Sequence, residues 1–516
     1  MDLAEAEPVW IDPGNENAVQ LDLTGSRLPP QALEARTLDG ITSVTRQSTY
    51  LGMRAWIVKR YYEAKQPDRY ANFLAFAARQ EAALAIGLVA DNFDGLNLIG
   101  ARGAKRAVDE GGSKMQLSAL AKQKAVSIYG ASFNTLGLGG QRDSGVPNLS
   151  EAGHELANAV ETRVSASRYA RKLAGDPQIS SVATKDLIEF AGQMGFAGAS
   201  GKERQLLFRI LFGLDGKASY LPRRDTYAML LLQQQNDPGS GDPEFLRAVV
   251  ASGHFGDCLS KTVDDWAEYA TLDLISRCHE TGLAAVVAVL HSLRGENSRG
   301  ALPELVLERA VSHESVEDLL SDLGFPGPDA TVAQLRHALS DTCCKPSVRG
   351  SIRRWSKGWA EEDIVEALDN HSGSGGAGPL LAWCCAAQRI ADPRKRRLDR
   401  RGLWSLSGSM IPFLEEYAER PVRSAMAAAL RIVVMQHLRV TWERYADDPS
   451  INNALIATEQ GRWSFVRSYV PGRMGRRLWT ARGWLMQLGA FNETGLSATG
   501  NTVLQRILAK CEEAWS

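Results

Sequence analysis

The chain has 516 residues and a formal net charge of −1, with 44% hydrophobic and 23% charged residues. That length exceeds what one hydrophobic core organises, so about two to four domains are expected, and the mix excludes wholesale disorder. The charge is uneven: from Lys345 onward 25 Lys/Arg face 17 Asp/Glu, leaving 34 against 43 in the remainder, so the C-terminal third carries a positive field that attracts phosphate backbones.

The chain opens on "MDLAEAEPVW", which is acidic and lacks the apolar stretch of a secretory signal. Residues 10–35 show no periodicity and read as an extended arm. From 49 to 64, "TYLGMRAWIVKRYYEA" places Tyr50, Met53, Ile57 and Tyr61 at helical spacing, with Leu51, Trp56 and Val58 widening the apolar face. The Ala- and Leu-rich stretch 70–90 is apolar round most of its circumference, which predicts a buried helix. "KDLIEFAGQMG" and "KERQLLFRILFGL" predict two short helices. The middle of the chain continues in this style, with "TVDDW" and "SVEDL" reading as helix starts.

The Gly/Pro-rich "QNDPGSGDP" (235–243) and "GFPGPDA" (324–330) break helices, and "NHSGSGGAGP" (370–379) is the most linker-like stretch. Strand signals are few, the best being a hairpin with a Gln-Gly turn within 454–470.

One phrase occurs twice. "LSEAG" begins at Leu149 and "LSATG" at Leu496, and each follows a helix ending in Leu-Gly-apolar and a turn. Each Ser is placed to start a turn or cap the next helix, and each Gly to take a positive φ or admit close packing. Residues 84–108 carry a looser third echo. The order of helix, short strand, turn and helix resembles bacterial winged-helix domains. The fold class expected is mainly α, a multi-domain helical protein with small winged-helix-like β elements. The expected domains are 1–165, helical with winged-helix-like units; 166–345, a helical bundle; and 346–516, basic with a winged-helix-like end.

Catalytic signatures are missing from the sequence. "GASGKER" and "GLDGKAS" lack Walker spacing, "GLGLGGQ" is no dinucleotide fingerprint, and neither HExxH nor a nucleophile elbow occurs. The seven cysteines contain no CxxC and include two adjacent pairs, so they read as small buried hydrophobes of a reducing compartment. The acids Asp264, Asp265 and Glu268, and Glu361, Glu362, Asp363 and Glu366, suit solvated helix starts better than a cation site. No metal, cofactor or membrane contact is expected, since apolar runs such as "LAAVVAVL" (283–290) are too short to span a bilayer. A cytoplasmic protein follows as the expectation.

Arginines interleaved with aromatics carry the functional expectation. Arg353 and Arg354 lie beside Trp355 and Trp359; Arg394, Arg396 and Arg397 lie in "DPRKRRLDRRG"; and Arg473, Arg476, Arg477 and Arg482 surround Trp479 and Trp484. This pattern suits phosphate contact and base stacking, with DNA as the expected nucleic acid.

The segment "LDGITSVTRQSTYLGMRAWIVKRYY" (38–62), with "RWSFVRSYVPGRMGRRLWTARGWLMQLG" near the C-terminus, resembles a group of uncharacterised bacterial proteins found near restriction and phage-defence genes. The resemblance implies a subunit of a defence-type assembly with protein partners, and it carries no catalytic residues. The expected function is thus a non-enzymatic nucleic-acid-binding or scaffold subunit. The alternatives are a protein–protein adaptor docking an acidic partner or a second copy, and an enzyme whose site is assembled from distant residues.

Overall fold

The computed structural model describes residues 22–93, 98–195, 199, 201–214, 221–250, 255–294, 300–312, 314–342, 361–390, 409–448, 452–471 and 476–513. It is mainly helical, with small two-stranded antiparallel sheets. The chain divides into two compact units. One gathers Met1–Leu33, Pro243–His254 and Val263–Met474; the other gathers Glu34–Asp242, Phe255–Thr262 and Gly475–Ser516.

The second unit is built around the helices Thr49–Glu63 and Tyr70–Ala90, which match the periodic stretches of the sequence. Tyr50, Leu51, Met53, Trp56, Ile57, Val58 and Tyr61 are all buried. Gly87 lets the Tyr70–Ala90 helix press against the helix Thr184–Met194: a Cβ there would stand 2.2 Å from the Leu187 carbonyl oxygen. Tyr70–Ala90 is long and apolar enough to cross a membrane, although no unbroken apolar run of that length occurs in it, and most of it is buried inside the protein. The helix Gly201–Leu211 is closed at its C-terminus by the buried Arg223 guanidinium, which donates to the carbonyls of Leu211 and Ile210 at 2.9 and 3.2 Å.

The repeated phrase forms one local structure twice within this unit. In the first copy, helix Gly130–Thr135 ends at Gly137, whose φ is +71°, and the Leu138 N–H returns to the Phe133 carbonyl. Strands Gly139–Gln141 and Pro147–Leu149 pair, and helix Glu151–Val164 follows. In the second copy, helix Arg477–Gln487 ends at Gly489, φ +69°, and the Ala490 N–H returns to the Leu485 carbonyl. Strands Phe491–Asn492 and Gly495–Leu496 pair, and helix Ala498–Glu513 follows.

The serines act alike. Ser150 Oγ donates to the Gly137 carbonyl at 2.6 Å and accepts from the Gly153 N–H at 3.1 Å. Ser497 Oγ donates to the Gly489 carbonyl at 2.7 Å and accepts from the Gly500 N–H at 3.0 Å. A Cβ on Gly153 would meet the Leu138 oxygen at 1.9 Å, and one on Gly500 the Ala490 oxygen at 1.9 Å. The serine therefore ties the end of one helix to the start of the next, and the glycine lets the second helix rest on the turn. Both following helices begin at the residue after the serine, which caps them. The third echo differs: helix Ala101–Glu110 starts after Gly100, φ +84°, with no side-chain cap.

In the first unit, the helices Pro303–Val311, Gly378–Ile390 and Val422–Asp447 pack with the long helix Ser260–Leu293 in one core. "TVDDW" lies inside that long helix instead of starting one. The hairpin Ile456–Glu459/Arg462–Phe465 turns at Gln460–Gly461, both at positive φ, as the Gln-Gly signal indicates.

The glycine-rich stretch 370–379 is packed, and it does not behave as a linker. A Cβ would stand 2.4 Å from the Thr281 oxygen at Gly375 and 2.3 Å from the Ala310 oxygen at Gly376. Ser374 and Ala377 are fully buried. These glycines admit close backbone contact at the centre of a core, a role with the same composition as a flexible joint.

Candidate nucleic-acid interface

Of the arginines singled out from the sequence, Arg353, Arg354, Arg394, Arg396, Arg397 and Arg473 lie outside the described residues. Arg476, Arg477 and Arg482 lie at the start and on the flank of helix Arg477–Gln487, and all three are half-buried. Arg477 is partly structural. Its main-chain N–H donates to the Glu34 carboxylate at 2.5 Å and its guanidinium to the Ile41 carbonyl at 2.7 Å. The Arg482 guanidinium lies 5.8 Å from the centre of the Phe491 ring.

The helix buries Leu478, Ala481, Trp484 and Leu485 and pins the loop that precedes the Thr49–Glu63 helix. Trp484 Nε1 donates to the Thr45 carbonyl at 2.7 Å. Gln487 accepts from the Ser48 N–H and Oγ at 2.8 and 2.9 Å and donates to the Arg46 carbonyl at 2.9 Å. Gln47 donates its N–H to the Tyr129 hydroxyl at 2.8 Å. The "GITSVTRQST" loop is therefore held by residues from the helical segments leading into both copies of the repeated phrase.

That clamp fixes what the loop displays. Val44 is 61% exposed, and Arg46 extends over Trp479 with its guanidinium carbon 4.9 Å from the ring centre. Trp479 is itself 49% exposed. Along the helix, Arg482, Gly483 and Met486 share the face of Trp479, since steps of three, four and seven residues return to one side. Met486 is 44% exposed, and a Cβ on Gly483 would meet no described residue within 4 Å. Neither residues 40–49 nor residues 476–488 contain an acidic side chain. The surface thus combines cations, an open indole and a bare stretch of helix backbone. No family model, curated protein or solved structure matches this chain.

Sequence reasoning placed Trp479 among arginines but missed Arg46, Val44 and Gly483. The only available signal was the GIT-containing segment, and nothing local in it points to a helix so distant in sequence.

Charge inside the second unit supports the same region. Glu81 accepts from the N–H groups of Ala125 and Val126 at 2.9 and 2.8 Å, capping the short helix Ala125–Ile128 that leads to Tyr129. Burial pushes its carboxyl up to about 7, against these hydrogen bonds and nearby Lys124 and Arg54. Burial also lowers Arg54, to about 10, where its guanidinium lies 5.1 Å over the Phe133 ring.

Elsewhere, three acids of the cluster at 361–366 are held in ion pairs. Burial alone would raise the Glu361 carboxyl, but the Arg389 guanidinium at 2.9 Å more than offsets this and holds it below the ordinary range. Asp363 and Glu366 pair with Arg247 at 2.7 and 3.2 Å. Burial drives His279 down to about 3, so it is neutral, and it accepts from Trp383 Nε1 at 2.8 Å. Among the described residues no group of three or more His, Cys, Asp or Glu converges on a cation-sized space. A cavity of about 260 Å³ in the first unit is lined by Arg294, Trp463, Ser464 and Phe465 among others, with no carboxylate among its described lining residues.

Proposed function

We propose that the chain is a non-enzymatic nucleic-acid-binding subunit whose contact surface is the outer face of helix Arg477–Gln487 with the loop 40–48. The observation that carries this reading is the Arg46 guanidinium stacked on the half-exposed Trp479, between two segments, 40–49 and 476–488, whose sequences contain no acidic residue. Cations there serve the phosphates and an open aromatic serves the bases. The helix and its short following hairpin, Phe491–Asn492/Gly495–Leu496, take the part of the reading helix and wing in a winged-helix-like module. DNA is the leading ligand. Membership of a cytoplasmic, defence-type assembly rests on the resemblance of segment 38–62.

The test is the salt dependence of DNA binding. Between about 50 and 200 mM salt, affinity should fall steeply, and Arg46→Gln with Arg482→Gln should reduce the logarithmic slope by roughly 1 to 2. Absence of binding at the lower salt, or an unchanged slope in the double variant, would sink the proposal.

A second reading, the adaptor, is favoured by one feature of the first unit. Helix Val422–Asp447 exposes Ile432, Met435, Trp442 and Tyr445 on its outer side, with Met435 55% and Trp442 69% exposed. A stripe of this kind suits a second copy of the chain. Sedimentation at tens of micromolar would decide it: a dimer made monomeric by Met435→Glu with Trp442→Glu supports the adaptor, and a monomeric wild type removes it.

A further inference from the structure

We infer that the surface around Gly483 is a seat for an unpaired nucleobase, so that the preferred ligand is single-stranded nucleic acid. The inference rests on the proposed nucleic-acid contact and narrows it to one class of strand.

Trp479 and Met486 lie two helical turns apart on one face, about 10 Å along the axis. Gly483 lies between them, and no described residue fills the space where its side chain would stand. Glycine is a poor residue for a helix interior, and at several helical positions of this unit its presence has a packing reason. At Gly87, Gly153 and Gly500 a Cβ would collide with a backbone carbonyl within the protein. At Gly483, as at Gly192, no described residue lies where a Cβ would stand, but only Gly483 lies on a face with an exposed indole. What the gap provides is a shallow notch with helix backbone as its floor, an indole at one end and a thioether at the other.

A planar, apolar-faced group fits such a notch. Every nucleobase offers such a face, and stacking on an exposed aromatic needs the base to be free of its partner. Double-stranded nucleic acid presents mainly phosphates to a protein surface, and these are met by donors and cations, not by Val44 and Met486. Arg46, stacked on Trp479, suits the phosphate beside a seated base. Because Arg46 already covers part of the indole, a base arriving at Trp479 extends an existing stack.

The experiment uses the full chain and two fluorescent probes, an oligothymidylate of about 20 nucleotides and a blunt duplex of equal length. Wild type is expected to bind the single strand at least about tenfold more tightly than the duplex. Gly483→Leu fills the notch with a better helix former, so its Tm should be unchanged or higher. It should nevertheless weaken single-strand binding about tenfold and leave duplex binding within about twofold. Trp479→Ala should show the same selectivity. If Gly483→Leu binds the single strand as wild type does, or if the duplex is preferred, the notch assignment is overturned while nucleic-acid binding stands. If neither probe binds, both fall together.

Discussion

At the residue scale, Glu81 links the interior of the second unit to its proposed surface. Its carboxylate caps the short helix that carries Tyr129, and Tyr129 holds Gln47 beside Arg46. Burial raises its folded value above the unfolded one of 4.5 to about 7. A raised carboxyl contributes stability that is whole below about pH 4.5 and is lost as pH rises through about 7. Urea unfolding should therefore show stability falling between these pH values, by about 3 kcal/mol, and Glu81→Gln should flatten that fall. A slope unchanged in the variant would mean that another group titrates. In the first unit, Arg389→Met would leave Glu361 buried without its cation and should cost about 3–5 kcal/mol in urea unfolding.

At the element scale, the repeated phrase is a device for turning one helix into the next. Ser150→Ala and Ser497→Ala each remove a cap and the tie to the preceding turn, for about 1 kcal/mol apiece. Gly153→Ala and Gly500→Ala press a methyl into a carbonyl oxygen and should cost more, about 2 kcal/mol or above, because overpacking there moves a helix. A glycine series milder than the serine series, by urea midpoint, would show that the contact relaxes freely.

Much of this scale is legible in the sequence. Helices Thr49–Glu63 and Tyr70–Ala90 and the Gln-Gly hairpin announce themselves because periodicity and turn chemistry are local signals. The repeated Leu-Ser-x-x-Gly announces a shared turn for the same reason. The stretch 370–379 misleads because glycine serves both a flexible joint and a tight backbone contact, and only the neighbours Thr281 and Ala310 distinguish them. The partnership of Arg46 with Trp479 leaves no local trace in either segment.

At the scale of the whole molecule, each compact unit is assembled from segments far apart in the chain. The C-terminal segment is integral to the second unit: Trp484, Leu485, Leu488, Leu504 and Ile507 are fully buried in it. Truncation after Met474 should therefore expose the loop 40–48 and the core beneath it to limited proteolysis, although the cut falls far from both in sequence. Intact protection of residues 40–130 in the truncated chain would contradict this arrangement.

The central claim is that nucleic acid is held on the outer face of helix Arg477–Gln487. The most direct measurement is photocrosslinking of a single strand substituted with 5-iodouracil, followed by mass spectrometry of the peptide adducts. The account predicts adducts at Trp479 or Met486, lost in Gly483→Leu. Adducts confined to other segments would contradict it.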